Sequence, residues 1–295
     1  MPPKSNGKDE RTDHTRGLRQ VVSIFLLWAI PLLLAGAFVN AESVGFLDGQ
    51  IQFYPAQRAG DRILIPFAQP PGRDNEVLLL YHRTDLFHLR RLQKKTIMPN
   101  EMANPRPHYV YGPTDGQLVD SQAQFLVAVG KRITPLLKWK AAETMSDQQL
   151  VSSCMAPEQG FAITGLQVLA AEALNAKVYY LQEESLPSTV DKFINENNDS
   201  GSSIMREIVG MVGPEGSCHV LAYHTSDPYG LHRTGTSEPI GPIFGIIEMS
   251  GRRSTERWLV LRSASQEVWG YTFIELLPLP WSREPKRLFL LEDRA

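Results

Sequence analysis

The sequence predicts an α+β fold: an antiparallel sheet ending in a C-terminal β-meander, with a central helical segment. Three observations predict it. Short apolar runs, bounded by Gly, Pro and polar clusters, fill the region from Ser43 to about Gly130. The Ala-rich stretch FAITGLQVLAAEALNA, Phe161–Ala176, reads as a buried helix ending near Asn175. Three β-rich runs joined by short polar turns, FGIIEM, RWLVLR and WGYTFIEL, close the chain. Strands, then helices, then strands argue for α+β rather than a doubly wound α/β fold.

The first element is not part of that fold. Residues 1–19 are polar and carry Lys4, Lys8, Arg11, Arg16 and Arg19. Val21–Val39 then holds no charge, and small residues follow at Asn40 and Ala41. A cationic lead, an apolar run and a small-residue cleavage site form a secretory signal peptide, with Val39-Asn40-Ala41 as the cleavage site. The run is also close to the length that spans a bilayer, so an uncleaved anchor and a buried core helix are the competing readings. Pro31 interrupts the run and favours the signal. The expected organisation is a signal peptide or anchor at 1–41 and a single exported domain at 42–295, with the membrane met only through the first segment. The positive lead puts the domain outside in either case, so a secreted protein is expected.

Within the exported part, Ile51–Tyr54, Arg62–Phe67, Glu76–Tyr81 and Gln124–Val129 are predicted strands. Thr84–Lys95 (TDLFHLRRLQKK) is a predicted helix, capped by Thr84 or Asp85, with Leu86, Leu89 and Leu92 on one face. Ser146 opens a helical segment through about Met155, with Gln149 completing a capping box. Val178–Leu181 reads as a strand, Ser188–Asn195 as a short helix, and Ile204–Val212 as the end of the helical region. His219–Tyr223 is a strand, and Leu288–Leu291 adds an edge strand.

Composition excludes several functions. Lys plus Arg is 30 against 32 for Asp plus Glu, a net charge of −2, so a bulk basic surface for nucleic acid is absent. Two cysteines exclude a four-cysteine zinc module. An oxidising compartment permits Cys154 and Cys218 to pair; two separate buried thiols are the other reading. Asn198-Asp199-Ser200 is a glycosylation sequon in a polar loop.

Catalytic patterns are weak. Cys218, His219, His224, Asp227 and His232 are metal-ligating types, without an HExxH or CxxC frame. Gly216-Ser217-Cys218-His219 sets nucleophile types beside a histidine, but strand neighbours point to opposite faces. Glu183, Glu184, Glu248 and Glu267 are the carboxylates available for sugar hydrolysis. Tyr81-His82-Arg83 places an arginine at a strand end as ADP-ribosylating enzymes do, without their other motifs. No phosphate-cradling glycine loop is present. No catalytic residue, cofactor or metal is expected.

Binding is better supplied. Trp258, Trp269, Tyr271, Phe273 and Trp281 gather in the last third; alternation puts Trp258 with Val260 and Tyr271 with Phe273. The tail offers Leu277, Leu279 and Trp281, then Leu288 and Leu290, at alternate positions, a pattern that adds to a partner's groove or sheet edge. Leu277-Pro278-Leu279-Pro280-Trp281 resembles the LxLxL motif that recruits plant co-repressors, with Trp281 in place of the third Leu. The export signal and the FGIIEM–RWLVLRS–WGYTFIELLPL run together resemble secreted effectors of plant-infecting smut fungi. That resemblance implies a virulence effector that binds host proteins. The competing expectations are an exported hydrolase or transferase and a membrane-anchored extracytoplasmic protein.

Overall fold

A computed structural model describes residues 43–67, 69–81, 86–93, 108–114, 125–142, 154, 161–185, 204–226, 234–235, 240–264 and 269–292. The described strands belong to one unit spanning Ala41–Ala295. The apolar run at Val21–Val39 lies outside the described residues, as do the predicted helix at Ser188–Asn195 and, save for Cys154, the segment Ser146–Met155.

The first layer is an antiparallel sheet of β1 (Val44–Phe46), β2 (Ile51–Pro55), β3 (Gln57–Ala59), β4 (Arg62–Ile65), β5 (Glu76–Tyr81), β6 (Leu86–Arg91), β7 (Tyr109–Pro113) and β8 (Phe125–Gly130). Its order is β1-β2-β8-β5-β6-β7-β4-β3. Only Ala56 separates β2 from β3, so the last strand of the sheet continues directly from its second. The sheet therefore curls back on itself. Phe67 fills the inside, with its ring 4.6 Å from Tyr54 and 5.8 Å from Tyr111. Ile63, Ile65, Leu79 and Val127 complete that core.

The second layer joins β9 (Leu137–Ala141) to strands from the far end of the chain. The third holds β10 (Phe161–Ala171), β11 (Ala176–Ser185), β12 (Met205–Val212), β13 (Cys218–Ser226) and β14 (Thr234–Gly235), in that order. β15 (Ile243–Ser250), β16 (Thr255–Ala264), β17 (Trp269–Glu275) and β18 (Arg287–Glu292) return to the second layer, ordered β18-β17-β16-β15-β9. Both faces of this middle sheet are buried. Trp258, Val260 and Phe273 pack with Phe46 and Phe53 of the first layer. Leu259, Leu261 and Ile274 pack with Val178, Tyr180 and Met211 of the third. Burial on both faces is why RWLVLR is an unbroken apolar run instead of an alternating one. Tyr271 donates its hydroxyl to the Phe125 carbonyl at 2.6 Å and ties the first two layers.

The architecture is therefore all-β, not α+β. Apart from one 3-10 turn at Glu172–Leu174, the described elements are strands. Three predicted helices are corrected. Thr84–Lys95 contributes β6, which pairs with β5 and β7; two strand neighbours outweigh a leucine spacing that also suits a helix. Phe161–Ala176 is β10 and the turn into β11. Its hairpin reverses at Asn175, whose φ of 48° is the left-handed conformation that Asn tolerates. Ile204–Val212 contains β12, whose Gly210 leaves room for the Tyr179 ring; a Cβ there would lie 2.3 Å from the ring. The predicted strands at Ile51–Tyr54, Glu76–Tyr81, Val178–Leu181, His219–Tyr223 and the C-terminal meander are present, with β18 at a sheet edge.

Candidate functional site

Among the described residues, β10 is the longest strand at a sheet edge. It pairs with β11 from Phe161↔Ser185 to Ala171↔Ala176, with a bulge between Ile163 and Gly165. No strand pairs with its other side among the described residues. Ile163 stands 46% exposed toward the open end, and Met205 on β12 is exposed at the same end.

At the far end of β10 lies a cleft of about 260 Å³, bounded by β9, β15, β16 and the Glu172–Leu174 turn. Its apolar surface comes from Ala171, Leu174, Ile246 and Leu276, and its rim from charged groups. Lys140 bridges the two sheets. Its Nζ lies 2.7 Å from Glu172 Oε1 and also reaches the Ala170 carbonyl at 3.4 Å. The bond from Lys140 holds the Glu172 carboxyl below its usual range. Glu248 is the cross-strand partner of both Lys138 and Arg257. It accepts Arg257 Nε at 2.9 Å and lies 3.5 Å from Lys138 Nζ.

Two further carboxylates are buried in the third sheet. Glu207 accepts three hydrogen bonds, from Tyr180 Oη at 2.8 Å and from the N–H groups of Ile240 and Gly241 at 3.1 and 3.2 Å. Burial first, then the Glu207 charge, raises the Tyr180 phenol far above its ordinary value, so it serves as a permanent donor. Glu207 thus fastens the segment leading into β15. His224 is buried at the register position opposite it. On the other face Glu183 is paired with Arg206 at 3.7 Å, and the guanidinium lies over the Phe161 ring at 4.6 Å.

The residues singled out from sequence are scattered. Glu184 neighbours Glu183 on the opposite pleat, Glu248 lies in another sheet, and Glu267 is outside the described residues. Of the metal-ligating types, His219 lies against Trp281 with ring centroids 5.2 Å apart and the planes tilted by 45°, while Asp227 and His232 are outside the described residues, as is Asn198. Cys154 and Cys218 are joined as a disulfide, with Cα atoms 5.4 Å apart, beside an apolar face formed by Val168, Tyr179 and Ile208. In the tail, Leu277 is half-buried, Leu279 and Trp281 pack on the core shared by the second and third sheets, Leu288 packs against the core below the first, and Leu290 is fully buried. The tail is thus engaged by its own domain. Among the described residues no helix is long and apolar enough to cross a membrane.

Glu275 clamps that tail. Both of its oxygens accept from Arg283, and one also accepts the Lys286 N–H at 3.2 Å. The Arg283 hydrogen bond holds the carboxyl below its ordinary value, against the opposing push of burial. Glu76 is also low: burial raises it, but the N–H and hydroxyl of Thr134 at 2.8 and 2.9 Å outweigh that. A carboxyl lowered in the folded state stabilises above its unfolded value and loses that contribution as pH falls through the folded one. Thermal unfolding midpoints should therefore fall as the buffer is acidified below 4.5. Glu275→Gln and Glu76→Gln should each flatten that descent, the double variant most. An unchanged descent would remove both pairs from the account.

β10 was hidden from sequence reading because an uncharged run looks alike in a buried helix and an unguarded edge. The cleft was hidden because its charged groups lie far apart in the chain. No protein-family model matches this chain, and neither a curated protein nor a solved structure is significantly similar to it.

Proposed function

We propose that the chain is an exported protein that acts by binding a protein partner, and that the side of β10 with which no described strand pairs receives an extended segment of that partner. The observation that supports this is a contrast among sheet edges. Natural edges are blunted by charge, proline or shortness. β9 carries Lys138 and Lys140, β18 carries Arg287 and Glu292, β1 spans only Val44–Phe46 and β14 only Thr234–Gly235. β10 is eleven residues long, without charge or proline. Its bulge leaves Gly165–Ala171 as the straight run on which a guest strand gains main-chain hydrogen bonds, with alternate side chains supplying selectivity. The export signal and the resemblance to smut-fungal effectors make a host protein the first partner to test.

Two measurements test the reading. The mass of material recovered from the medium should begin at Glu42; full-length chain retained inside the producer overturns export. Hydrogen exchange of the mature domain with its captured partner should show new protection across residues 161–171. Ile163→Lys with Ala170→Lys, both at exposed positions, should weaken the complex at least tenfold while the domain stays folded. Undiminished binding by that double variant, or protection confined to another strand, overturns the β10 site.

A further inference from the structure

The cleft between β9 and the β10–β11 corner is a site in its own right, and it does not depend on the β10 reading. Three cations (Lys138, Lys140 and Arg257) and two carboxylates (Glu172 and Glu248) line it. Lys140 and Glu172 satisfy each other at 2.7 Å. Glu248 must serve both Lys138 and Arg257, which leaves one positive charge unbalanced. Arg257 commits only Nε to Glu248. Among the described residues its two Nη nitrogens have no acceptor. Lys138 makes only the loose 3.5 Å pair, and its side chain is 81% exposed. A planar guanidinium with free Nη groups is the usual partner of a carboxylate, and a nearby ammonium adds a point charge. Behind these groups the surface turns apolar: Ala171, Leu174, Ile246 and Leu276. Small-ligand sites have this composition, an apolar wall with a few polar groups that fix orientation.

We propose that this cleft binds a small amphipathic monocarboxylate, with its head on Arg257 and Lys138 and its aliphatic tail along Leu174, Ile246 and Leu276. One carboxylate balances the surplus charge, whereas a dicarboxylate would set its second charge against Glu172 or Glu248. An amine would meet the unbalanced cation. A neutral alcohol would gain the wall and lose the head contact.

The test uses octanoate, octanol and octylamine, titrated calorimetrically into the exported domain. Octanoate should bind at least tenfold more tightly than the other two and weaken as salt is raised. Lys138→Met, at a solvent-exposed position, and Arg257→Gln should each weaken octanoate about tenfold, the value of one charge-assisted hydrogen bond. Arg257→Lys should recover only part of the loss, because it keeps the charge without the fork. Chemical shifts should move at Leu174, Ile246 and Leu276. The proposal is overturned if octanoate does not bind, if octanol or octylamine binds as tightly, or if neither Lys138→Met nor Arg257→Gln changes the octanoate affinity.

Discussion

Ending the chain at Glu275 is expected to abolish cooperative folding of the domain. The cut removes β18 and the loop before it. Leu290 is fully buried in the core between the first and second layers, and Leu276 is 3% exposed in the core between the second and third. Truncating one such leucine costs about 2–5 kcal/mol, within a total stability of about 5–15 kcal/mol. The deletion also strips the β17 edge of its partner from Trp269↔Glu292 to Ile274↔Arg287 and leaves Glu275 without Arg283. The contact from Arg287 Nη2 to the Leu221 carbonyl, which links the middle sheet to β13, is lost as well. Near-UV circular dichroism and thermal melting should show no native transition in the truncated domain. A truncated domain that melts like the full one would refute the packing described for the tail. The deletion therefore reports on folding and cannot separate folding from partner binding. Leu277→Ser can, because Leu277 is half-buried in the loop; its melting midpoint should stay near that of the parent.

The strands of the meander were legible because two physical signals coincided there: β-branched and aromatic residues in short runs, and polar turns such as SGRRST between them. The pairing of β15 with β9, Glu248 opposite Lys138, was not legible, since nothing local links residues so distant in sequence. The helices failed for a different reason. In Phe161–Ala176, the count of Ala and Leu outweighed Ile163, Thr164, Gly165 and Val168, which favour or tolerate a strand, and Asn175, which marks a hairpin turn. In Thr84–Lys95, the three-residue spacing of leucines suited a helix, yet Leu89 is buried between the exposed His88 and Arg90, the alternation of a strand. Tertiary pairing chose between two patterns that the local sequence allowed.

The candidate sites divide in the same way. The pairing of Cys154 with Cys218 had one combination to consider, and the structure joins them. The alternating leucines of the tail were legible as a pattern but not as a surface, because a terminal strand that packs on its own sheet has the same spacing as one offered to a partner. Arg257 and Lys138 carried no signal at all. Their proximity exists only through the register of β15 with its two neighbours.

Removing the disulfide should have the next largest effect. Cys154 and Cys218 are separated by 64 positions, and closing a loop of that size restricts the denatured chain by an amount equivalent to about 4 kcal/mol in the chain-entropy model. The folded side adds to this. Cys154 and Cys218 pack against Val168, Tyr179, Leu181, Ile208 and Val212, on the face of the third sheet turned away from the middle layer. The bond therefore holds Cys154 in place against this apolar face. The Cys154→Ala, Cys218→Ala double variant should lose most of that stabilisation in urea unfolding and should bind a hydrophobic dye before its main transition. Reduction of the native protein should reproduce both changes, whereas the single variants should match the double, since either one opens the loop. Equal urea midpoints for the oxidised protein and the double variant would show that the covalent link adds nothing to what the sheet's own packing secures.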